Sequence, residues 1–298
     1  MNILVTGSRG FLGKHLVREL ESGGHNVFGC DMTHGESPTY MRADVANYRQ
    51  LKRVFYTFQP NMVYHLAAEF GRHNGEDYYE QLWNTNAVGT KNVIRLCIEY
   101  SARLITMSSS EVYGDYEGIM DENLPLPWPP LNDYAATKRV NEWQVKMARG
   151  LEAVIVRPFN IFGPGEYYSP YRSVNCRFAY SAIKSMPFTC YRGHSRTSTY
   201  ISDAIKTLGR IPANFIAGRT YNLAGQQEHT IEELANLAVE IAGANPSLIN
   251  LTDSEPLTAQ HKHVSNELIV NELGHKDNVS LALGMRMLIG WMRDTYGD

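Results

Sequence analysis

From its first residues the chain alternates short aliphatic or β-branched runs with longer stretches in which apolar residues recur every three or four positions. The runs Asn2 to Val5, Asn26 to Cys30, Met62 to His65, Arg103 to Met107 and Ala153 to Val156 predict strands, and a further short one is expected before Asp44. Periodic stretches near 11 to 22, 47 to 58, 76 to 100 and 133 to 149 predict helices between them. Strands of this kind alternating with helices predict an α/β fold, a doubly wound parallel sheet with helices on both faces. After Asn160 the punctuation thickens, as in Phe162-Gly163-Pro164-Gly165 and Tyr168-Ser169-Pro170, and the rhythm loosens. One more strand is expected at Tyr221 to Gly225, followed by Thr230 and Glu233 at the spacing of a capping box. The stretch from Pro125 to Pro130 reads as a rigid loop over the sheet's edge.

Composition narrows the classes. With 298 residues, 43% hydrophobic and 20% charged, the chain reads as globular. Its 28 basic residues against 31 acidic ones provide no broad basic surface, so nucleic acid is not an expected partner. No apolar run approaches membrane-spanning length, and Met1 to Gly7 lacks the basic leader of a signal peptide, so no membrane association is expected. Cys30, Cys97, Cys176 and Cys190 are scattered, which suggests neither a disulfide framework nor a zinc knuckle and suits a reducing cytoplasm. His261 and His263 form a lone His-x-His with no third ligand nearby in sequence, and they read as surface histidines, so no metal is assigned.

Directly after the first predicted strand stands Gly7-Ser8-Arg9-Gly10-Phe11-Leu12-Gly13, opening an apolar-periodic helix. Glycines at these intervals permit a tight turn and close approach of a pyrophosphate to the helix N-terminus. A glycine triplet alone is weak evidence; Asp31, at the end of the second strand, strengthens it. Asp31 can accept the hydroxyl protons of an adenosine ribose, and its charge repels a 2′-phosphate, so NAD is favoured over NADP. Arg9 argues the other way, since a guanidinium there could reach such a phosphate. Asp44-Val45 is placed to meet the adenine, or to cap the following helix.

Tyr134 and Lys138 are spaced i, i+4 and so share one helix face. A neighbouring ammonium lowers a phenol's pKa, which makes Tyr134 a candidate base for a sugar hydroxyl. Ser108-Ser109-Ser110-Glu111 follows the strand ending at Met107, where an open α/β sheet presents groups to its ligand crevice. One or two of these serines are expected to serve only the local backbone.

Gly7-x-x-Gly10-x-x-Gly13, Asp31, Leu66-Ala67-Ala68, Asn86, Ser108-Ser109-Ser110-Glu111-Val112-Tyr113-Gly114, Tyr134-x-x-x-Lys138 and Arg157-Pro158-Phe159-Asn160 occur in one order. That ordered set resembles the extended short-chain dehydrogenases/reductases, specifically the NAD-dependent epimerase/dehydratase family. The resemblance implies a Rossmann-type NAD-binding domain over residues 1–165, rejoined by a strand and helix near 202–225, and a mainly substrate-binding, smaller α/β lobe over 166–298. It implies that Leu66, Ala67, Ala68 and Asn86 line the cofactor, that Ser109 bonds the reacting hydroxyl and that Lys138 also holds the nicotinamide ribose. The substrate implied is a nucleotide-diphosphate sugar, with Asn160 and Arg196 at its diphosphate and Arg172 and Arg177 as further candidates, although each arginine could be a solvated charge. Homodimerisation through the helices at 76 to 100 and 133 to 149 is likewise implied. Lys262-His263-Val264-Ser265-Asn266 departs from the family pattern and leaves base specificity open.

Transient oxidation at C4 to a 4-keto sugar is the shared step. Glu111 resembles the C5 base of 4,6-dehydratases, and Ser109-Ser110-Glu111 is similar to the triplet of GDP-mannose dehydratases and UDP-glucuronate decarboxylases. Glu111-assisted C5 chemistry and simple 4-epimerisation both stand open. Two other classes are an NADPH-dependent keto-sugar reductase, which Asp31 disfavours, and a non-catalytic NAD-binding regulator, which would not need Tyr134, Lys138 and Ser109 together.

Overall fold

The computed structural model describes residues 1–126, 129–253 and 258–297. Residues 127 and 128 of the expected proline-rich loop therefore lie outside the described residues. Two compact units emerge. The first comprises Met1–Val112, Asn132–Arg157 and Ile205–Tyr221, and the second comprises Tyr113–Leu131, Pro158–Ala204 and Asn222–Asp298.

The first unit is built on β1 (Asn2–Thr6), β2 (Asn26–Asp31), β3 (Tyr40–Arg42), β4 (Met62–His65), β5 (Arg103–Met107) and β6 (Ala153–Pro158). With the strand Thr220–Leu223 beside β6, they form a seven-stranded sheet in which β3, β2, β1, β4, β5 and β6 follow one another. The registers from β3 through β6 are parallel. This order reverses at β1 and β4, as in the doubly wound Rossmann-type architecture, and ligands of such sheets bind beyond the strands' carboxyl ends there. Helices α1 (Phe11–Ser22), α2 (Tyr48–Phe58), α3 (Arg72–Asp77), α4 (Tyr79–Trp83), α5 (Gly89–Glu99) and α6 (Asp133–Met147) belong to this unit. Leu51, Val54 and Phe55 of α2 and Val93, Leu96 and Cys97 of α5 join Leu4, Val63 and Leu104 of the sheet in one core. Burying side chains of this size contributes about 1.5–3 kcal/mol each, which holds the strand ends at fixed heights.

The single helix expected from 76 to 100 is interrupted. Tyr78 leaves helical geometry at φ −134°, and Asn84–Val88 form a π-helical turn before α5. Such turns admit an extra residue, and here the turn carries Asn86, whose amide reaches Thr137 on α6.

In the second unit, helices Val174–Ile183, Ile231–Ala242 and Leu281–Tyr296 pack against each other. Short strands Ser195–Thr197 and Glu228–Thr230 pair antiparallel, and Phe188–Tyr191 pairs parallel with Ile249–Thr252. The capping box is present: Glu233 N–H donates to the Thr230 hydroxyl at 3.0 Å, and Thr230 N–H donates to the Glu233 carboxylate at 2.8 Å.

Candidate active site

The glycine loop packs too tightly for any other residue. Gly7 has φ +68°, and a Cβ there would stand 2.7 Å from the Ala67 nitrogen. A Cβ on Gly13 would meet the Gly7 carbonyl at 2.1 Å, so α1 rests directly on the loop. Gly10 is the extended N-cap of α1 and has no side chain to cap it, and the first turn holds no acidic residue. The backbone at Phe11 and Leu12 consequently presents its N–H groups and the positive end of the helix dipole to an anion. A pyrophosphate fits this cradle.

Asp31, at the end of β2, accepts 3.0 Å bonds from Arg9 N–H on one oxygen and from Thr33 N–H and hydroxyl on the other. The Arg9 guanidinium is occupied: it stacks 3.9 Å from the centroid of the Tyr40 ring and donates to the His34 carbonyl. Asp44 accepts from Ala46 N–H at 2.8 Å in a local turn, while Asn47, and not Asp44, caps α2. Val45 is buried, and its carbonyl accepts from the Asn92 amide at 2.9 Å.

After β4, Leu66 N–H donates to the Thr6 carbonyl and Ala67 N–H to the Thr6 hydroxyl, which ties 66 and 67 to β1 beside the glycine loop. Asn86 braces the segment beyond Ala68, accepting from Glu69 N–H at 2.9 Å and donating to the Thr137 hydroxyl at 3.1 Å. These bonds make Asn86 a strut between the post-β4 loop and α6.

Tyr134 lies one residue into α6, whose N-cap Asn132 accepts from Ala135 N–H at 2.8 Å. Tyr134 is only 4% exposed, and the Ser109 hydroxyl lies close enough to its phenol to affect its acidity. Burial pushes the phenol well above the ordinary tyrosine range; the nearby Ser109 hydroxyl opposes this and the nearby Glu111 charge adds to it. Lys138 sits one turn on, donating to the Met107 carbonyl at 3.0 Å, and burial brings its ammonium down to about 8. In the chain by itself, burial therefore outweighs the acidifying effect expected from the lysine.

The three serines divide their work. Ser108 donates to Glu142 at 2.6 Å, and Glu142 is held in a buried pair by Arg157, at 2.8 and 2.7 Å. Ser109 accepts from Glu111 N–H at 3.2 Å and lies close enough to Tyr134 to lower the phenol's pKa. Ser110 is buried at the start of a short 3-10 turn, Ser110–Tyr113, that carries Glu111.

A group that the sequence did not single out lies beneath this centre. His65, the last residue of β4, bonds Thr6 Oγ1 at 2.8 Å through Nδ1 and Thr90 Oγ1 at 3.0 Å through Nε2. Burial, aided by the Lys138 charge, depresses its pKa to about 3, so it stands neutral.

The four remaining candidates belong to the second unit. Asn160 adopts φ +36°, and its amide donates to the Thr197 carbonyl at 3.2 Å. Arg196 is buried, donating to the Ser195 and Gln260 carbonyls at 2.7 and 3.1 Å and to the Thr258 hydroxyl at 3.2 Å. Arg172 lies close enough to the buried Glu166 to lower its pKa, and Arg177 is half-buried on the helix Val174–Ile183.

A parallel sheet whose first turn is shaped for a dinucleotide, with a buried tyrosine, lysine and serine at the end of β5, defines a unit of the short-chain dehydrogenase/reductase kind. The chain belongs to the NAD dependent epimerase/dehydratase family, whose model matches residues 3–224. It is 25% identical to a UDP-N-acetyl-alpha-D-glucosaminuronate decarboxylase of Bacillus cytotoxicus, covering 99% of this chain and 98% of that one. It is likewise 25% identical to a dTDP-glucose 4,6-dehydratase of Neisseria gonorrhoeae, over 98% and 96% of the two chains. Among solved structures, the UDP-glucose 4-epimerase of Thermus thermophilus in complex with NAD superimposes with a TM-score of 0.87 at 25% identity, covering 98% of this chain and 99% of that one. No described helix is long and apolar enough to cross a membrane.

Proposed function

We propose that the protein modifies a nucleotide-diphosphate sugar by transient oxidation at C4, and that Tyr134 is the base. The observation that carries this reading is the buried Tyr134 phenol, close enough to the Ser109 hydroxyl to be acidified by it, with Lys138 one helical turn away and anchored to the Met107 carbonyl. Gly7, Arg9, Gly10, Phe11, Leu12 and Gly13 would hold the NAD pyrophosphate. Asp31 would take the adenosine ribose on the lone pairs its tethers leave over, while Asp44 and Val45 would border the adenine. Bound there, NAD supplies the acceptor for the hydride that leaves C4. NADP is the lesser alternative, because Asp31 repels a 2′-phosphate and Tyr40 and His34 already engage Arg9.

Ser109 orients the sugar hydroxyl toward the Tyr134 oxygen, which takes its proton, and Lys138 holds the phenolate by its charge. Glu111 is close enough to raise the Tyr134 pKa, a placement that favours proton removal at C5 and hence 4,6-dehydration or decarboxylation. The second reading is 4-epimerisation, supported by the likeness to the Thermus thermophilus epimerase, with Glu111 serving only to tune Tyr134. Asn160, Arg172, Arg177 and Arg196 would take the diphosphate. We assign a cytoplasmic setting, which the four free, buried cysteines favour. A homodimer through α5 and α6 is supported by the exposed Val88, Ile98, Trp143 and Met147.

Incubating the NAD-loaded protein with UDP-, GDP-, dTDP- and CDP-sugars and reading products by mass spectrometry and NMR distinguishes the outcomes. Loss of water or of carbon dioxide identifies Glu111-assisted chemistry, and an isomer of equal mass identifies epimerisation. Turnover that survives in Tyr134→Phe would overturn the assignment.

A further inference from the structure

In the second unit, the chain around 260 to 265 runs between two partners. Ser195 N–H donates to the Gln260 carbonyl at 3.0 Å and the Thr197 hydroxyl to the Lys262 carbonyl at 3.2 Å. On the other side Met120 N–H donates to the His263 carbonyl at 2.8 Å, and Ser265 N–H to the Met120 carbonyl at 3.1 Å. Side chains alternate along such a stretch. Lys262 is buried, whereas the His261 and His263 rings lie side by side, 5.8 Å apart and within 19° of parallel.

The antiparallel pairing of Ser195–Thr197 with Glu228–Thr230 sets Glu228 opposite Thr197, next to those rings. The Ser195 hydroxyl donates to one oxygen of Glu228 and lies 3.0 Å from His261 Nδ1. The other oxygen of Glu228 pairs with His263 Nδ1. One ligand atom from each of Glu228, His261 and His263 falls within 4.8 Å of the other two. The sequence places no third ligand near these histidines; the fold brings Glu228 to them from a different strand.

We propose that Glu228, His261 and His263 bind a divalent first-row transition ion, zinc foremost, at a site open to solvent. Two imidazoles and a carboxylate are a borderline donor set that suits zinc, cobalt and nickel and disfavours magnesium and calcium, which take oxygen ligands. In a tetrahedral zinc site with bonds of about 2.0–2.2 Å, donor atoms stand roughly 3.3 Å apart. Closing from the present spacing to that one takes rotations of side chains that are at least partly exposed, about a backbone already fixed by the bonds above. The fourth position is left to water or to the Ser195 hydroxyl.

Bound there, the ion would tie residues 261 and 263 to the strands that hold Ser195 and Glu228. Arg196 is anchored to the Gln260 carbonyl in the same place, so the ion would also stiffen the seat of that arginine. This inference stands apart from the catalytic assignment, since none of its three residues takes part in it.

The test uses the full chain, stripped of metal and dialysed. Zinc is titrated by calorimetry, cobalt by its visible ligand-field absorption, and bound metal is counted by elemental analysis. One ion per chain is expected, with a thermal midpoint that rises on zinc addition. His261→Ala, His263→Ala and Glu228→Gln should each weaken binding by about tenfold or more, a loss that even a supporting outer partner can bring. His73→Ala, at an exposed histidine elsewhere, should leave binding unchanged. Circular dichroism of each variant checks that it is folded. Less than one ion per chain, or uptake equal in wild type and all three variants, would overturn the proposal.

Discussion

Lys138 Nζ lies 5.7 Å from the centroid of the Tyr134 ring and donates 3.0 Å to the Met107 carbonyl, so the ammonium is fixed beside the phenol by the end of β5. Both groups are buried, and burial acts on them in opposite directions. It holds the phenol neutral by raising its pKa, and it weakens the lysine's hold on its proton by lowering its pKa to about 8. In the cofactor-free protein this tyrosine rests in its protonated form at neutral pH.

Ultraviolet difference titration of wild type against Tyr134→Phe should accordingly show one phenol ionising above the ordinary tyrosine range without NAD, and at lower pH with the positive nicotinamide present. Tyr134→Phe should lower turnover by about 10²–10⁴-fold with NAD affinity retained. Removing the Glu111 charge has a defined sign. Glu111 raises the Tyr134 pKa, so in Glu111→Gln the acid limb of the C4 oxidation rate, followed in single turnovers, should move to lower pH.

Lys138→Met should inactivate the protein and stabilise it. Between pH 8 and 10.5 the unfolded chain keeps the lysine proton and the folded chain does not, so wild-type stability gains from Lys138 as pH rises through that window. Below it the buried ammonium is a net cost. Allowing for the lost bond to Met107, the substitution should raise the unfolding free energy at pH 7 by roughly 2 kcal/mol. Urea unfolding at pH 7 and pH 10 measures both the gain and its disappearance.

The serines offer a paired test. Ser109→Ala removes the hydroxyl that acidifies Tyr134 and should depress kcat with little change in the thermal midpoint. Ser108→Ala removes a donor from a buried carboxylate and should cost about 1–3 kcal/mol of stability. Calorimetry and turnover on both variants should show opposite patterns.

His65 should govern part of the acid sensitivity. Its folded pKa of about 3 lies below the ordinary histidine value of 6.5, so in that interval the unfolded chain binds a proton that the folded chain refuses, and stability falls as the pH is lowered. The slope from this residue reaches about 1.4 kcal/mol per pH unit. Denaturant midpoints from pH 6.5 to 4 should decline less steeply in His65→Asn than in wild type.

Local sequence carried the glycine loop, Asp31 at its strand end and the Tyr134–Lys138 spacing, because each is a short-range pattern imposed by backbone geometry. The bonds of His65 were hidden, since Thr6 and Thr90 reach it from different elements and no spacing advertises them. The break in the helix expected at 76 to 100 was equally hidden: the apolar period runs on through Tyr78 and the turn at Asn84–Val88, and contact with α6 decides the geometry. The separate role of Ser108 also required the fold, because Glu142, itself paired with Arg157, claims it from 34 residues downstream.

The strand Thr220–Leu223 has a bearing on biosynthesis. Ile155 N–H donates to the Arg219 carbonyl, and Gly218 N–H donates to the Ala153 carbonyl. A ribosome that has produced only the first two hundred residues holds a nascent sheet whose β6, buried along Ala153–Val156, still has a bare flank. Expression fragments ending near 165 would keep that sticky margin permanently and should aggregate, whereas release of the chain past 223 seals it.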